Sequence, residues 1–420
     1  MLRRFTIKGF KSLRHVEMDL GVVNVFIGPN GSGKSNLLEA LGVLGAAAGG
    51  AVEPKELQHR GVRLGLPRSS FRGHPPRQGI TLQARSEQVT YRAGLNAPVE
   101  GPRAPWPVLS EFLASDGKLL FARRGKKARI KIPSLPGLAG PTTLDPENEG
   151  KAKVAHLLAI TSVVSSGDNP RPREVQQASA FLELLSNFAI FAPNTPVLRG
   201  QAEDGSRGPL GLHGSELPFV IRSLLDERGQ QLGAFPLEDV WQMIEWAEGV
   251  SAVSGEGESA PWKIPDQLEF SDRFMPKGYN QLLGRDASEG ALYVLFMLAL
   301  VSHPRAPRLF AVDNFEQGLH PRLAVALTRL VAQHLVETSQ QTENERQMLV
   351  TTHNPLVLDG LDLRDDCIRL FAVERDPHQQ GATRVRRIIL TPELLAEVDR
   401  GLPLSRMWLM GLLGAVPRLL

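Results

Sequence analysis

The sequence predicts an α/β fold, a mixed sheet flanked by helices and interrupted by an inserted lobe of strands and helices. Three observations predict it. A strand, a glycine-rich loop and a helix follow one another in VNVFIGPNGSGKSNLLEALGVLGAAA, residues 23–48. Two further apolar strands, LFAVD and MLVTTH, end in residues able to do chemistry, Asp313 and His353. Between these ends lie roughly 200 residues of different character, too many for a structureless loop.

The 420 residues are 42% hydrophobic and 22% charged, ordinary globular material with a sizeable core. A net charge of +3 does not by itself predict nucleic-acid binding, although a pI near 9.0 favours a polyanionic partner. The single cysteine, Cys367, excludes a disulfide framework, and the ten histidines do not cluster at metal-ligand spacing. MLRRFTIKGFKSL has no apolar segment after its basic residues, so no secretory signal is expected. ALYVLFMLALV (291–301) is too short to span a bilayer and reads as a buried helix. These readings predict a soluble cytoplasmic protein without a membrane partner.

In chain order, RRFTIKGF and VNVFIGPN read as strands and LLEALGVLGAAA as a helix. From about residue 50 to 140 Pro and Gly become frequent, and ITLQARS, VTYRAGL and ARIKIP alternate like strands of an antiparallel sheet. Residues 151–190, including EVQQASAFLELLSNFAIF, and 215–248 read as mainly helical, and SAVSGEGESA (251–260) as a surface loop. From about 285 the α/β pattern returns with an apolar helix, the strand RLFAVD, the helix PRLAVALTRLVAQHLVET and the strand RQMLVTTH. The expected organisation is a core of 1–50 and 281–420, an antiparallel β part at 51–145, and a mainly helical insertion at 146–280.

Four motifs carry chemistry. GPNGSGKS (28–35) matches the phosphate-binding loop G-x-x-x-x-G-K-[ST] in full. Its glycines let backbone N–H groups converge on phosphate oxygens at a helix N-terminus. Asn30, Gly31, Ser32, Gly33, Lys34, Ser35 and Asn36 form this cradle, with Lys34 reaching the β- and γ-phosphates and the Ser35 hydroxyl ligating Mg²⁺. LFAVD delivers Asp313 at a strand's carboxyl end, where it would hold Mg²⁺ through water, or merely cap a turn. ASEG (287–290) offers Ser288 and Gly290 at the start of the apolar helix, as a second anion-binding end or as a simple N-cap supplied by Ser288 or Asp286. MLVTTHNP places His353 beside that acid, as a partner of a γ-phosphate or of an attacking water, or as a structural histidine.

The order of these motifs decides among the readings. Ser288 precedes Asp313 by 25 residues and His353 follows it by 40. The chain resembles ATP-binding-cassette (ABC-type) ATPases of the SMC/RecF-like branch. More narrowly, it is similar to stand-alone AAA-type ATPases of bacterial phage-defence systems, such as that of Septu. IKGFKSL, GPNGSGKSN, SEG, DNFEQGLHP, TTHNP and LSRMWLMGLLGAVP carry the likeness, with FAPNTPVLRG and LHGSEL matching loosely in the middle. The resemblance implies a homodimer in which Ser288 and Gly290 of one subunit cap the ATP held by the phosphate loop of the other. Hydrolysis would then release the clamp.

The sequence departs from that pattern in places. Glu289 stands where transporters have glycine, which favours the chromosomal type of ATPase over a transporter subunit. No glutamine is assigned to γ-phosphate sensing; Gln58, Gln78 and Gln83 are candidates, and Arg60 or Arg63 could reach phosphates. Asn314 replaces the usual Glu after Asp313. An amide positions water but accepts no proton near neutral pH, and losing a general base slows turnover about 10²–10⁴-fold. Glu316 lies on the same face if the segment stays extended, as a surrogate base or as a surface acid. The expected activity is ATP binding with slow hydrolysis.

The expected function is a switch controlling a partner effector, a nuclease, in anti-phage defence. The insertion lacks the long coiled coil of SMC arms, and little chain follows the core to house a nuclease. The alternatives are a RecF-like repair clamp touching DNA through Arg123, Arg124, Lys126 and Lys127, and a non-hydrolysing nucleotide-dependent scaffold.

Overall fold

A computed structural model of the chain describes residues 1–65, 79–98, 101, 103–124, 127–130, 173–202, 210–226, 230–255, 264–340 and 345–414. Strands β1 (Arg4–Phe10), β2 (Leu13–Asp19), β4 (Ile80–Arg85), β5 (Val89–Leu95), β6 (Val108–Ser115), β7 (Lys118–Arg124) and β8 (Lys127–Ile130) form one antiparallel sheet in the order β2-β1-β4-β5-β6-β7-β8. The second sheet contains β3 (Val23–Ile27), β9 (Ala189–Phe191), β15 (Leu309–Val312), β16 (Gln347–Thr352), β17 (Ile368–Asp376) and β18 (Ala382–Ile388). Its order is β18-β17-β3-β16-β15-β9, parallel throughout except for antiparallel β18 at one edge.

The parallel strands read as continuous apolar runs because both of their faces are covered. Alternation still sorts the side chains. Phe26, Leu309, Ala311, Leu349 and Phe371 join the core shared with helix α1 (Lys34–Ala48) and the antiparallel sheet. Val25, Ile27, Phe310, Val312 and Val350 face the opposite core. Almost every residue of α1 from Leu37 to Ala48 is buried, which explains a helix apolar on all sides. Gly45 permits the close approach of the helix Arg173–Ser186, since a Cβ there would sit 2.4 Å from the Leu185 carbonyl oxygen.

Helix α2 (Pro54–Gln58) follows α1, and α3 (Arg173–Ser186) packs against α1 and against strands β5 and β6 of the antiparallel sheet. Here the structure corrects one expectation. The helix read through residue 190 stops at Ser186, and Ala189–Phe191 becomes edge strand β9, pairing Phe310 with Ala189 and Val312 with Phe191. An apolar aromatic triplet fits a buried strand better than a fourth helical turn. Residues 151–172 lie outside the described residues.

The region 215–248 is less helical than expected. Helix α4 (Thr195–Leu198) precedes two short helices, α5 (Leu217–Leu224) and α6 (Leu237–Met243), which are separated by the small hairpin β10 (Gln231–Leu232) and β11 (Phe235–Pro236). Part of the expected loop at 251–260 is strand: β12 (Ala247–Gly255) pairs with β13 (Ile264–Asp272), and β14 (Gln281–Leu283) completes a three-stranded sheet. Cross-strand pairing of Val250 with Phe270 and Ala252 with Leu268 outweighs the low strand propensity of Gly and Ser.

Helix α7 (Glu289–Ser302) is the buried apolar helix expected, with every residue from Ala291 to Val301 inside the second core. Helix α8 (Pro321–Ser339) covers the same face with one apolar stripe. Helices α9 (Pro392–Asp399) and α10 (Leu404–Leu409) end the described chain, and Ser405 Oγ donates to Asp359 Oδ2 at 2.6 Å. No helix among the described residues is long and apolar enough to cross a membrane.

The basic stretch expected to meet DNA divides. Arg123 on β7 pairs with Glu111 at 3.2 Å, their side chains only 14% and 4% exposed, and also donates to the Val108 carbonyl at 3.3 Å. Tyr91 donates to the same carboxylate at 2.9 Å. Arg123 is therefore a member of the sheet's interior and not a free phosphate contact. Arg124 is exposed; Lys126 and the Lys127 side chain lie outside the described residues. Removing one partner of a buried pair leaves a poorly compensated charge, so Arg123→Ala is expected to lose about 3 kcal/mol of stability. Urea titration of the variant measures this, and an unchanged midpoint would return Arg123 to the surface reading.

Candidate functional site

The carboxyl ends of β3, β16 and β15 lie side by side, with Ile27 opposite Thr352 and Val312 opposite Val350. Open α/β sheets place ligand chemistry at such an edge. The loop leaving β3 turns through Gly33, whose φ of 109° suits glycine and whose missing Cβ would otherwise sit 2.3 Å from Thr383 Oγ1. The opposite β-sheet edge buttresses the loop. Thr383 Oγ1 lies 2.7 Å from the Ser32 carbonyl, Arg375 Nε donates to the Gly31 carbonyl at 2.9 Å, and Asn36 Nδ2 donates to Ser12 Oγ at 2.8 Å. Asn30 and Gly31 remain exposed, and a Cβ on Gly31 would meet nothing within 4 Å. The cradle is open on its outer side.

Lys34 Nζ folds back over the loop, donating to the carbonyls of Gly28 at 2.7 Å and Pro29 at 3.1 Å. Burial holds its pKa below the usual lysine value, while the charges of Glu316 and Asp313 oppose that shift. Both carboxylates therefore lie within electrostatic reach of the ammonium. Ser32 Oγ is buried without a partner among the described residues.

Ser35 Oγ donates to Asp313 Oδ1 at 3.1 Å, joining the first turn of α1 to the end of β15. Thr351 on β16 donates to the same oxygen and accepts the Asn314 backbone N–H at 2.9 Å. The set of oxygens, two hydroxyls around one carboxylate, is the hard-donor chemistry Mg²⁺ selects. Asn314 has a φ of 58°, a left-handed conformation that asparagine tolerates better than most residues. The segment after Asp313 thus turns immediately. It does not stay extended, and the alternation that put Glu316 on one face with Asp313 does not hold.

Glu316 nevertheless reaches the site by the turn. Its side chain is 7% exposed, which removes the surface-acid reading. One oxygen, Oε1, lies 2.7 Å from His353 Nδ1 and accepts the His353 backbone N–H at 3.0 Å. The other, Oε2, is buried without a partner among the described residues. With Nδ1 facing the carboxylate, the Nε2 side of a half-exposed ring is left to act.

Ser288 caps α7, its Oγ accepting the Ala291 N–H at 3.3 Å, so the simple N-cap reading holds for this hydroxyl. Asp286 lies in the short turn before it, and the cap is Ser288 rather than Asp286. Ser288 is exposed, and no hydrogen bond joins Ser288 or Gly290 to the glycine-rich loop among the described residues. Two residues not singled out from sequence fix this helix end. Thr195 of α4 hydrogen-bonds the Glu289 carboxylate, and Arg199 donates to the Ala287 carbonyl at 3.0 Å. Their block, FAPNTPVLRG, was the loosely matching middle segment, and the proline and glycine flanking that turn were the available signal.

The remaining candidates disperse. Arg60 is buried and bonded to Glu56 at 2.8 Å and to the Ser186 carbonyl at 2.7 Å, a structural anchor and not a phosphate contact. Arg63 pairs with Glu39, as does Lys11, yet its charge also senses Asp313, so it stays at the rim of the site. Gln58 is exposed at the end of α2, and Gln83 sits within β4 opposite Arg92. Gln78 lies outside the described residues. Thr351 and Arg375 were missed because a threonine in a strand and an arginine after one carry no motif.

Residues 179–359 match the family model described as "AAA domain, putative AbiEii toxin, Type IV TA system", and residues 1–48 match "AAA ATPase domain". No curated protein matches the chain. Similar solved structures include an SMC head bound to the C-terminal winged-helix domain of ScpA, 13% identical with a TM-score of 0.49, covering 94% of this chain and 99% of that one. The SMC head domain from Thermotoga maritima is 14% identical with a TM-score of 0.42, covering 93% and 99%. An Smc head with an extended coiled coil, bound to the C-terminal domain of ScpA derived from Pyrococcus furiosus, is 14% identical with a TM-score of 0.43, covering 95% and 98%. Scores this low carry nothing about function. The two family matches describe AAA-type ATPase domains over the phosphate-loop segment and over the segment that carries β9, β15 and β16; they do not single out the SMC/RecF-like branch or the Septu-like subgroup.

Proposed function

We propose that this chain is a switch ATPase: it binds ATP, hydrolyses it slowly, closes as a homodimer around two ATP molecules, and controls a partner effector, a nuclease, in anti-phage defence. The observation that carries the reading is the meeting of Ser35, Thr351 and Asp313 beside the phosphate loop, within electrostatic reach of Lys34. The Ser35 hydroxyl and, through water, Asp313 would hold Mg²⁺, which would supply neutralisation of phosphate charge. The backbone of Asn30, Gly31, Ser32 and Gly33 orients the phosphates, and Asn36 keeps the loop anchored to Ser12. Lys34 leaves its two carbonyl partners for phosphate oxygens. Glu316 and His353 are the proton-handling pair, and Asn314 positions water without accepting its proton.

The defence setting rests on the resemblance and on the wording of the family model, which names a putative AbiEii toxin. A direct DNA clamp is the weaker alternative, since Arg123 is engaged inside its sheet. The non-hydrolysing scaffold is favoured by Asn314 alone. Native mass spectrometry with ATP and Mg²⁺, followed by phosphate release, tests the proposal; a chain that stays monomeric with ATP bound would overturn the clamp.

Dimer closure is expected to need Ser288. The N-terminus of α7 is exposed at Ser288, its dipole favours an anion, and the Glu289 carboxylate of the first turn is engaged by Thr195, so an anion from the partner's site can approach it. Ser288→Arg places bulk at that end and is expected to abolish ATP-induced association while ATP still binds. Light scattering with and without ATP reads this out, and normal association would leave Ser288 as a helix cap only.

A further inference from the structure

Two buried polar atoms near the site have no hydrogen-bond partner among the described residues, and they are chemically complementary. The Glu316 Oε2 atom lacks a partner, although Oε1 is held by His353. The Tyr293 hydroxyl, on α7, is also buried without a partner. Their surroundings join them: the Tyr293 ring meets Phe315, the neighbour of Glu316, edge-on at a centroid distance of 6.2 Å and an interplanar angle of 88°. A phenol O–H is a donor and an ionised carboxylate oxygen an acceptor, and a buried donor or acceptor left unpaired costs about 1–3 kcal/mol. Buried polar groups are nearly always hydrogen-bonded, so an unpaired donor and an unpaired acceptor in one neighbourhood point to a contact or a bridging water between them.

We infer that Tyr293 is a positioning residue, whose hydroxyl donates to Glu316 Oε2, directly or through one water, when the nucleotide-bound dimer closes. Glu316 is then held on both oxygens, by Tyr293 on one side and His353 on the other. Burial pushes the Tyr293 phenol well above its ordinary pKa, and the Glu316 charge adds to this, so the hydroxyl keeps its proton to donate. Because Tyr293 and Ser288 share one helix, this contact ties the end expected to cap the partner's ATP to the carboxylate beside the chain's own. Gly290 and Gly318 reinforce that tie. A Cβ on Gly318 would meet the Glu289 side chain at 2.6 Å, so the turn carrying Glu316 lies tightly against the start of α7. The inference rests on the ATPase reading above.

Four full-length proteins test it: wild type, Tyr293→Phe, Glu316→Gln and the double variant. In steady-state phosphate release, Tyr293→Phe is expected to lower kcat about tenfold with KM for ATP unchanged, a loss of about 1.4 kcal/mol. The double variant should be no slower than Glu316→Gln alone, because the phenol acts through the carboxylate. Wild-type kcat in Tyr293→Phe, or singles whose effects multiply in the double, would overturn the inference. Thermal midpoints of the same four, with ATP and Mg²⁺, give a second readout that needs no turnover. Non-additive midpoints support the contact, and additive ones remove it. Calorimetric ATP binding by wild type without any phosphate release would defeat the hydrolytic reading alone, leaving the midpoints to decide Tyr293.

Discussion

Lys34→Ala is expected to weaken ATP binding about 30- to 150-fold and to leave the chain folded. The Lys34 ammonium is aimed into the loop, and a charge-assisted hydrogen bond to an anion contributes about 2–3 kcal/mol. Folding should tolerate its loss. Burial disfavours the charged form of Lys34, and its two partners are carbonyls at the open edge of a loop already held by Thr383, Arg375 and Ser12. Isothermal titration of the variant with ATP and Mg²⁺ measures the affinity, and a melting curve checks the fold. Wild-type affinity in a folded variant would sink the phosphate-loop assignment. It would also remove the basis for reading Ser35 and Asp313 as a magnesium site.

The parts of this site that were legible in the sequence are those whose chemistry is local. GPNGSGKS needs only its own backbone to make a cradle, and LFAVD and MLVTTH announce buried strands by unbroken apolar runs ending in polar residues. Helix α7 was legible because eleven successive apolar residues make too long a run for an ordinary buried strand and fit a helix covered on every face. Long-range pairing was not legible. Ala189–Phe191 is too short to show a period, and it becomes a strand because β15 offers it an edge. β17 and β18 alternate weakly, and their hairpin is settled by pairing across a turn that begins at Asp376 and Pro377. Arg123 looked like one member of a basic run, yet a glutamate twelve residues earlier in the sequence, Glu111, becomes its cross-strand partner in the register of β6 with β7. Charge counts along a chain do not reveal such pairs.

Glu316→Gln is expected to lower ATP turnover by at least about 100-fold, with ATP affinity little changed. The amide is close in shape to the carboxylate, so the turn from Asp313 to Leu319 should persist. It carries no proton-accepting charge, and it holds His353 only through a neutral acceptor. Both consequences fall on kcat. Asn314→Glu is the companion. Its position follows Asp313 directly, but its φ of 58° costs a glutamate about 1 kcal/mol more than asparagine, a strain the left-handed region imposes on longer side chains. A carboxylate placed there is still expected to raise turnover about tenfold, or about 1.4 kcal/mol off the barrier, and to shorten the life of the closed dimer. Steady-state phosphate release from wild type and both variants decides between two arrangements. Loss in Glu316→Gln together with gain in Asn314→Glu means that the burden of proton transfer has passed from the position after Asp313 to the buried pair of Glu316 and His353. Full activity in Glu316→Gln would mean that the carboxylate only fastens His353 to the turn. In that case slow hydrolysis must be carried by water positioned on Asn314 without a base.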